Sequence, residues 1–215
     1  VGEVLLVLSI AGMFVASLVA IFQENIKRML AWSSVAQIGY ITLGVSLANA
    51  TGLTGALVHL FNHAMIKGGL FFAVGGIALM AGAVKTSELA GIGRRMPLTM
   101  AAFVIAGLSL VGVPGTVGFV SKWYLVLGAF EAGLWWVAFL VLITSLMAVV
   151  YLGRFVEIAY FREPTGGAAA ASDPPLSMLV PTWILVVACV VFGLNAELTA
   201  GTAGMAAEVL IEGLR

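Results

Sequence analysis

The chain has 215 residues, 62% of them apolar and 9% charged, and its formal net charge is zero. An ordinary soluble domain carries roughly 25% charged residues, so this chain cannot clothe a water-facing surface and must be solvated largely by lipid. Neutrality gives no reason to expect a nucleic-acid partner, and the lone Cys189 excludes an internal disulfide framework and a thiolate set for zinc or an iron–sulfur cluster.

Residue 1 is Val, and the chain enters an apolar run at 4–22 with no basic leader and no clear cleavage site. That run reads as a mature helix, and the sequence as a piece of a longer protein. Further apolar segments follow at 29–47, 53–80, 99–130, 134–161 and 176–194. Each reaches the roughly 20 residues needed to cross a bilayer as a helix. Strands are excluded because an open strand in lipid leaves its backbone unpaired, and the alternation of a barrel is missing. The expected fold is an all-α integral membrane protein with six transmembrane helices.

The fourth segment is too long for one span, and its middle reads Val113-Pro114-Gly115-Thr116-Val117-Gly118. Proline removes a backbone donor and the glycines remove steric restraint, so this helix is expected to be discontinuous; a simple proline kink is the alternative. Broken helices persist in membranes where they face protein or a wet cavity, and transporters place binding sites there.

Orientation follows from the basic residues. Lys27 and Arg28, then Lys85, Arg94 and Arg95, then Arg162 with nearby Arg154, fall in the odd connections; the even ones hold neither Lys nor Arg. The positive-inside rule makes the odd connections cytoplasmic and puts both ends of the chain outside. The tail, with Glu197, Glu208 and Glu212 against Arg215, agrees. Residues 162–175 read as a small flexible cytoplasmic loop, and 176–215 as a last helix with an external tail.

Two lysines remain deep in apolar segments, Lys67 and Lys122. A lysine at mid-membrane costs about 2.5–3.5 kcal/mol on insertion scales, and snorkelling relieves that poorly away from helix ends. His59, His63 and Lys67 recur every four residues, so they share a helix face, rise about 6 Å per step, and drift about 40°. Asn62 adds a polar neighbour. At that pitch, side chains touch or are bridged by water, forming a ladder about 12 Å long. Imidazole titrates near 6.5 when unperturbed, so the ladder is a candidate proton wire. Metal binding is disfavoured, since no third ligand has matching spacing. Were Lys67 and Lys122 within about 10 Å, their repulsion would be about 1.7 kcal/mol at an effective dielectric of 20, and their protonation would be coupled.

Weaker signals remain. Ser33, Ser34 and Gln37 can line water or bond helices together. Arg154 and Glu157 are expected to pair, with a proton exit as the second role for Glu157. Glu131 is expected at the interface. The pairs Gly68-Gly69 and Gly75-Gly76 suit close helix packing, and no nucleotide fingerprint or other cofactor motif is present.

Three stretches carry a resemblance. Asn25-Ile26-Lys27-Arg28-Met29-Leu30-Ala31-Trp32-Ser33-Ser34 through Gln37, Gly39 and Tyr40 is similar to a "D-I-K-R-x-L-A-Y-S-S-x-x-Q-x-G-Y" signature. His59 to Lys67 is similar to "H-x-x-x-H-A-x-x-K", and Gly112 to Lys122 to a broken helix followed by lysine. Together they resemble the antiporter-like membrane subunits shared by respiratory complex I and the multisubunit Mrp cation/proton antiporters.

The resemblance implies a fourteen-helix fold with two inverted five-helix repeats. Residues 1–161 would form the second repeat, followed by the loop and the final helix. It implies that Lys67 and Lys122 lie on a central hydrophilic axis, linked to water by the histidines. It also puts Lys27 at a cytoplasmic proton entry, with a positive-inside anchor as the alternative. Asn25 departs from the usual acid, and the first repeat, with its glutamate–lysine pair, is not in this sequence. Implied partners are the lipid bilayer, other membrane subunits, and protons, with sodium as a second ion; the location is the inner (plasma) membrane. Lysine on the broken helix and the short tail disfavour two complex I subunit types, and the stretch from Val113 to Tyr124 leans to the Mrp D-type. A complex I or membrane-hydrogenase subunit is the alternative, and a scaffold whose polar residues only pack helices is the third reading.

Overall fold

The computed structural model describes residues 2–164 and 166–213, and nearly all of them are helical. In chain order these are α1 (Gly2–Ile21), α2 (Ile26–Ser46), α3 (Ala50–Ala81), a 3-10 turn (Thr86–Leu89), α4 (Ile92–Arg95), α5 (Pro97–Val111), α6 (Val117–Glu131), α7 (Trp135–Phe161), α8 (Gly166–Ala170), α9 (Leu176–Leu194) and α10 (Glu197–Glu212). No strand is formed among the described residues beyond an isolated bridge between Asn25 and Lys85. The helices α1, α3, α7 and α9 are long and apolar enough to cross a membrane. Similar in length to these, α2 carries Lys27, Arg28, Ser33, Ser34 and Gln37. Each half of the fourth segment has only 15 residues, too few to span a bilayer alone.

Helix α3 is the centre of the bundle, packed by α2, α5, α6, α9 and α10. Its start is fixed by Asn49, whose side chain accepts from Gly52 N (2.7 Å) and donates to Gly128 O of α6 (2.8 Å). The apolar core runs from Leu70 and Ile77 of α3 through Met100 and Phe103 of α5 to Phe155 of α7. Phe103 and Phe155 meet edge to face with centroids 5.0 Å apart. Outward-facing Val, Leu and Phe side chains remain on the bundle surface, as in a helix set solvated by lipid.

The expected break is present. Helix α5 stops at Val111 because Gly112 turns left-handed (φ 95°), and α6 restarts at Val117. A Cβ at Gly118 would lie 1.7 Å from Ser109 O, so the two half-helices approach at a distance only glycine permits.

Three expectations are corrected. The tail is not simply a tail: α10 folds against α3, with Ala200 and Ala207 buried. The connection expected to be flexible is held near its end, where Asp173 accepts from Leu98 N, Thr99 N and Thr99 Oγ1 at the start of α5. Arg154 does not pair with Glu157. It donates to Ile21 O (3.1 Å), while Glu157 meets Arg162 at 3.6 Å, since an extended arginine reaches across to the open end of α1. Glu131 accepts from Thr51 Oγ1 (2.8 Å), joining the ends of α6 and α3. Val1, Thr165, Leu214 and Arg215 lie outside the described residues, so the charge reading of the tail is described only through its glutamates.

Candidate functional site: a buried lysine–histidine axis

Lys122 sits one turn into α6, and its side chain turns back across the break. Ending a helix leaves its last carbonyls without intrahelical donors and gives that end a partial negative charge. Lys122 Nζ donates to two of these, Leu110 O (3.0 Å) and Val111 O (2.8 Å), and to Ser145 Oγ of α7 (2.9 Å). Tyr40 of α2 adds its ring face, with Nζ 4.9 Å from the centroid. The lysine is 7% exposed, so it is not snorkelling.

His59 of α3 is held at both ring nitrogens. Nδ1 meets Ser121 Oγ of α6 at 2.8 Å and Nε2 meets Gln37 Oε1 of α2 at 3.0 Å. Its ring tilts against Tyr40 with centroids 5.4 Å apart. Tyr40 is in turn fixed by its hydroxyl, 2.6 Å from Thr144 Oγ1. Four helices thus converge on one polar patch, each sending in a side chain that would be costly to bury alone.

Lys67, also on α3, is 5% exposed and reaches toward α2, donating to Leu30 O (2.9 Å) and to Ser33 Oγ. His63 lies between the two sites in sequence and is half-buried, and its Nδ1 is buried with no hydrogen-bond partner. Asn62 donates to Val117 O (2.7 Å) beside the break, and its Oδ1 is likewise unpartnered. Atoms of this kind are the usual seats of internal water.

The expected ladder is therefore modified. His59, His63 and Lys67 share α3, but His59 bonds outward to α2 and α6 rather than along its own helix. Ser33 and Gln37 of α2 join it as bonded members, and Ser34 only returns to Leu30 O (3.1 Å). Lys27 is exposed in the first turn of α2, and Glu157 is exposed in its ion pair. Neither touches the axis. Among the described residues no group of three His, Cys, Asp or Glu could hold a metal, and no carboxylate pairs with either buried lysine. Tyr40, Ser121, Thr144 and Ser145 were missed as site residues; the available signal was polar residues inside otherwise apolar segments.

A cavity of about 330 Å³ opens between α3, α6 and α10, lined by Thr51, Thr54, Tyr124, Glu197 and Glu208 among others. It lies against the N-terminal part of α3, a turn or two from His59.

The chain as a whole is similar to known proteins. Residues 1–148 match the family described as NADH:quinone oxidoreductase/Mrp antiporter, TM. The chain belongs to this family. It is 46% identical over 199 residues to NADH-quinone oxidoreductase subunit N of Desulforudis audaxviator, covering 87% of this chain and 40% of that protein. F(420)H(2) dehydrogenase subunit N of Methanosarcina mazei is 32% identical over 213 residues, covering 95% of this chain and 43% of the relative. The Mrp complex of Dietzia sp. contains a chain that superposes with a TM-score of 0.91 at 26% identity, covering 99% of this chain and 48% of that one. The chain thus spans less than half the length of the relatives it matches. These two curated relatives are N subunits, one of an NADH-quinone oxidoreductase and one of an F(420)H(2) dehydrogenase, against the lean to the Mrp D-type; the Mrp likeness is stronger in shape than in sequence.

Proposed function

We propose that this chain forms the proton-conducting second repeat and final helix of a subunit-N-like component of a complex I-type membrane dehydrogenase. The observation that carries the reading is the pair of buried lysines, each solvated by backbone carbonyls and hydroxyls instead of a carboxylate, on either side of a doubly bonded histidine. An ammonium is a strong donor with no salt-bridge partner here, so its proton is not held by an opposite charge. Lys122 and Lys67 are the carriers, His59 and His63 the intervening exchange groups, with Gln37, Ser121 and Ser33 orienting them.

In this reading α1, α2, α3, the broken α5–α6 pair, α7 and α9 make six crossings of the plasma membrane. The basic connections face the cytoplasm and both ends of the chain lie outside. Lys27 stands at the cytoplasmic entry, Glu157 is a second gate on that side, and the cavity beside Glu197 and Glu208 is the outer opening. The partners are lipid and the other membrane subunits of the complex, which would supply redox energy; the transported ion is the proton, with sodium as the competing choice. The second reading, a cation/proton antiporter subunit using the same axis, draws its support from the 0.91 TM-score to a chain of the Mrp complex.

The test is Lys67→Met and Lys122→Met, separately, in the full-length subunit within its assembled complex, with proton translocation measured in closed vesicles. Each change should lower translocation by about 100-fold or more, the scale of a lost proton-transfer group. Transport at the unmodified rate in both variants would leave only the scaffold reading.

A further inference from the structure

Lys122 has three N–H donors, and three acceptors surround it: Leu110 O, Val111 O and Ser145 Oγ. Ser145 sends its own hydrogen to Val141 O (2.9 Å), which leaves its oxygen free to accept from the lysine. Tyr40 lies against the same ammonium and against His59, and stays there because its hydroxyl is fixed by Thr144, which donates its own hydrogen to Leu140 O (2.9 Å). Gly112 lies close against the lysine stem; a Cβ there would stand 3.0 Å from Lys122 Cδ.

The neighbouring histidine is equally occupied. Both His59 ring nitrogens are taken, by Ser121 and Gln37, and no hydrogen bond joins it to Lys122. Two groups that exchange protons must be bridged directly or through water. In this conformation each is bonded elsewhere, so Lys122 has to leave its acceptors before it can pass a proton toward α3.

We propose that Ser145 and Tyr40 are positioning residues that hold the charged Lys122 docked on the open end of α5, and that undocking from them precedes proton transfer. The inference rests on the reading of Lys122 as a proton carrier. The ionisable neighbours are few: Tyr40 on α2, and His59 on α3 with His63 and Lys67 further along. On α6 itself there is Tyr124, which shares a cavity with Glu197 and Glu208 of α10. Helix α5 has none, α9 only Cys189, and α7 has Tyr151 before Arg154, Glu157 and Tyr160 toward its far end.

The experiment compares Ser145→Ala, Ser145→Thr and Tyr40→Phe in the full-length subunit of the assembled complex, recording proton translocation against pH. Removing an acceptor from a charged donor should displace the Ser145→Ala profile by about one pH unit toward acid. Ser145→Thr, which keeps the hydroxyl, should restore it, and Tyr40→Phe, which keeps the ring but frees it from Thr144, should displace it less and in the same direction. An unmoved Ser145→Ala profile, or an equal loss of rate in the Ala and Thr variants with no displacement, would overturn the inference. Lys122→Met separates the two levels. If it abolishes transport while Ser145→Ala changes nothing, only the docking idea fails; if it transports normally, the proton-carrier reading fails with it.

Discussion

The two buried lysines are solvated by different means. Lys122 lies beside an interrupted helix, and the interruption itself provides its partners, since Leu110 and Val111 stand at the end of α5 where carbonyls lack helical donors. Lys67 lies on the uninterrupted α3 and must borrow from α2, where Leu30 O already accepts from the hydroxyls of Ser33 (2.9 Å) and Ser34. Three acceptors surround Lys122, two surround Lys67, and beside the second site His63 Nδ1 has no partner at all. A broken helix therefore makes a closed seat for an ammonium, while an intact one makes an open seat that invites water.

The comparison can be broken most severely at the interruption. Gly118→Ala places a methyl group 1.7 Å from Ser109 O. No backbone neighbour can yield that far cheaply, so the half-helices should separate, with a loss of several kcal/mol and failure of the subunit to assemble. Blue-native electrophoresis of membranes would read this directly, and normal assembly would show that the junction is not rigid. Next in size, Ser33→Ala deprives Lys67 of its side-chain acceptor, at a cost of about 1–3 kcal/mol in thermal stability with reduced proton transport. The Lys122 site should be untouched, so combining it with Ser145→Ala should give additive losses in unfolding temperature. Strong non-additivity would mean that the two seats form one unit. The smallest effect is expected at Asp173→Ala, which removes the cap on α5 far from either lysine. It should lower stability by about 1 kcal/mol and leave the transport rate unchanged.

Much of this contrast was legible from residues alone. Lys67 and Lys122 stand out because an ammonium in an apolar run is expensive, and Val113 to Gly118 reads as a break because proline and glycine act through local backbone chemistry. The spacing of His59, His63 and Lys67 correctly put them on one helix. What spacing cannot supply is the partner on another helix. Gln37 and Ser121 take His59 because α2 and α6 flank α3, and Ser145 reaches Lys122 because α7 crosses the break. A single serine in an apolar segment has no periodicity to announce that. Helix α10, expected as an external tail carrying Glu197, Glu208 and Glu212, packs on α3 with its small residues Ala200 and Ala207 buried. The lean toward an Mrp subunit rested on a few residues around the break, a stretch whose chemistry is dictated by the lysine seat and so carries little about the partner complex.

The central claim is that Lys67 and Lys122 serve one proton path in series. The most direct measurement is proton translocation by the full-length complex carrying Lys67→Met and Lys122→Met together, set beside each single variant. A path in series predicts that the double variant is no slower than the slower single one, because one missing step already stops the flow. Losses that add, with each single variant keeping substantial transport and only the double variant losing it, would mean two independent routes and would contradict the account.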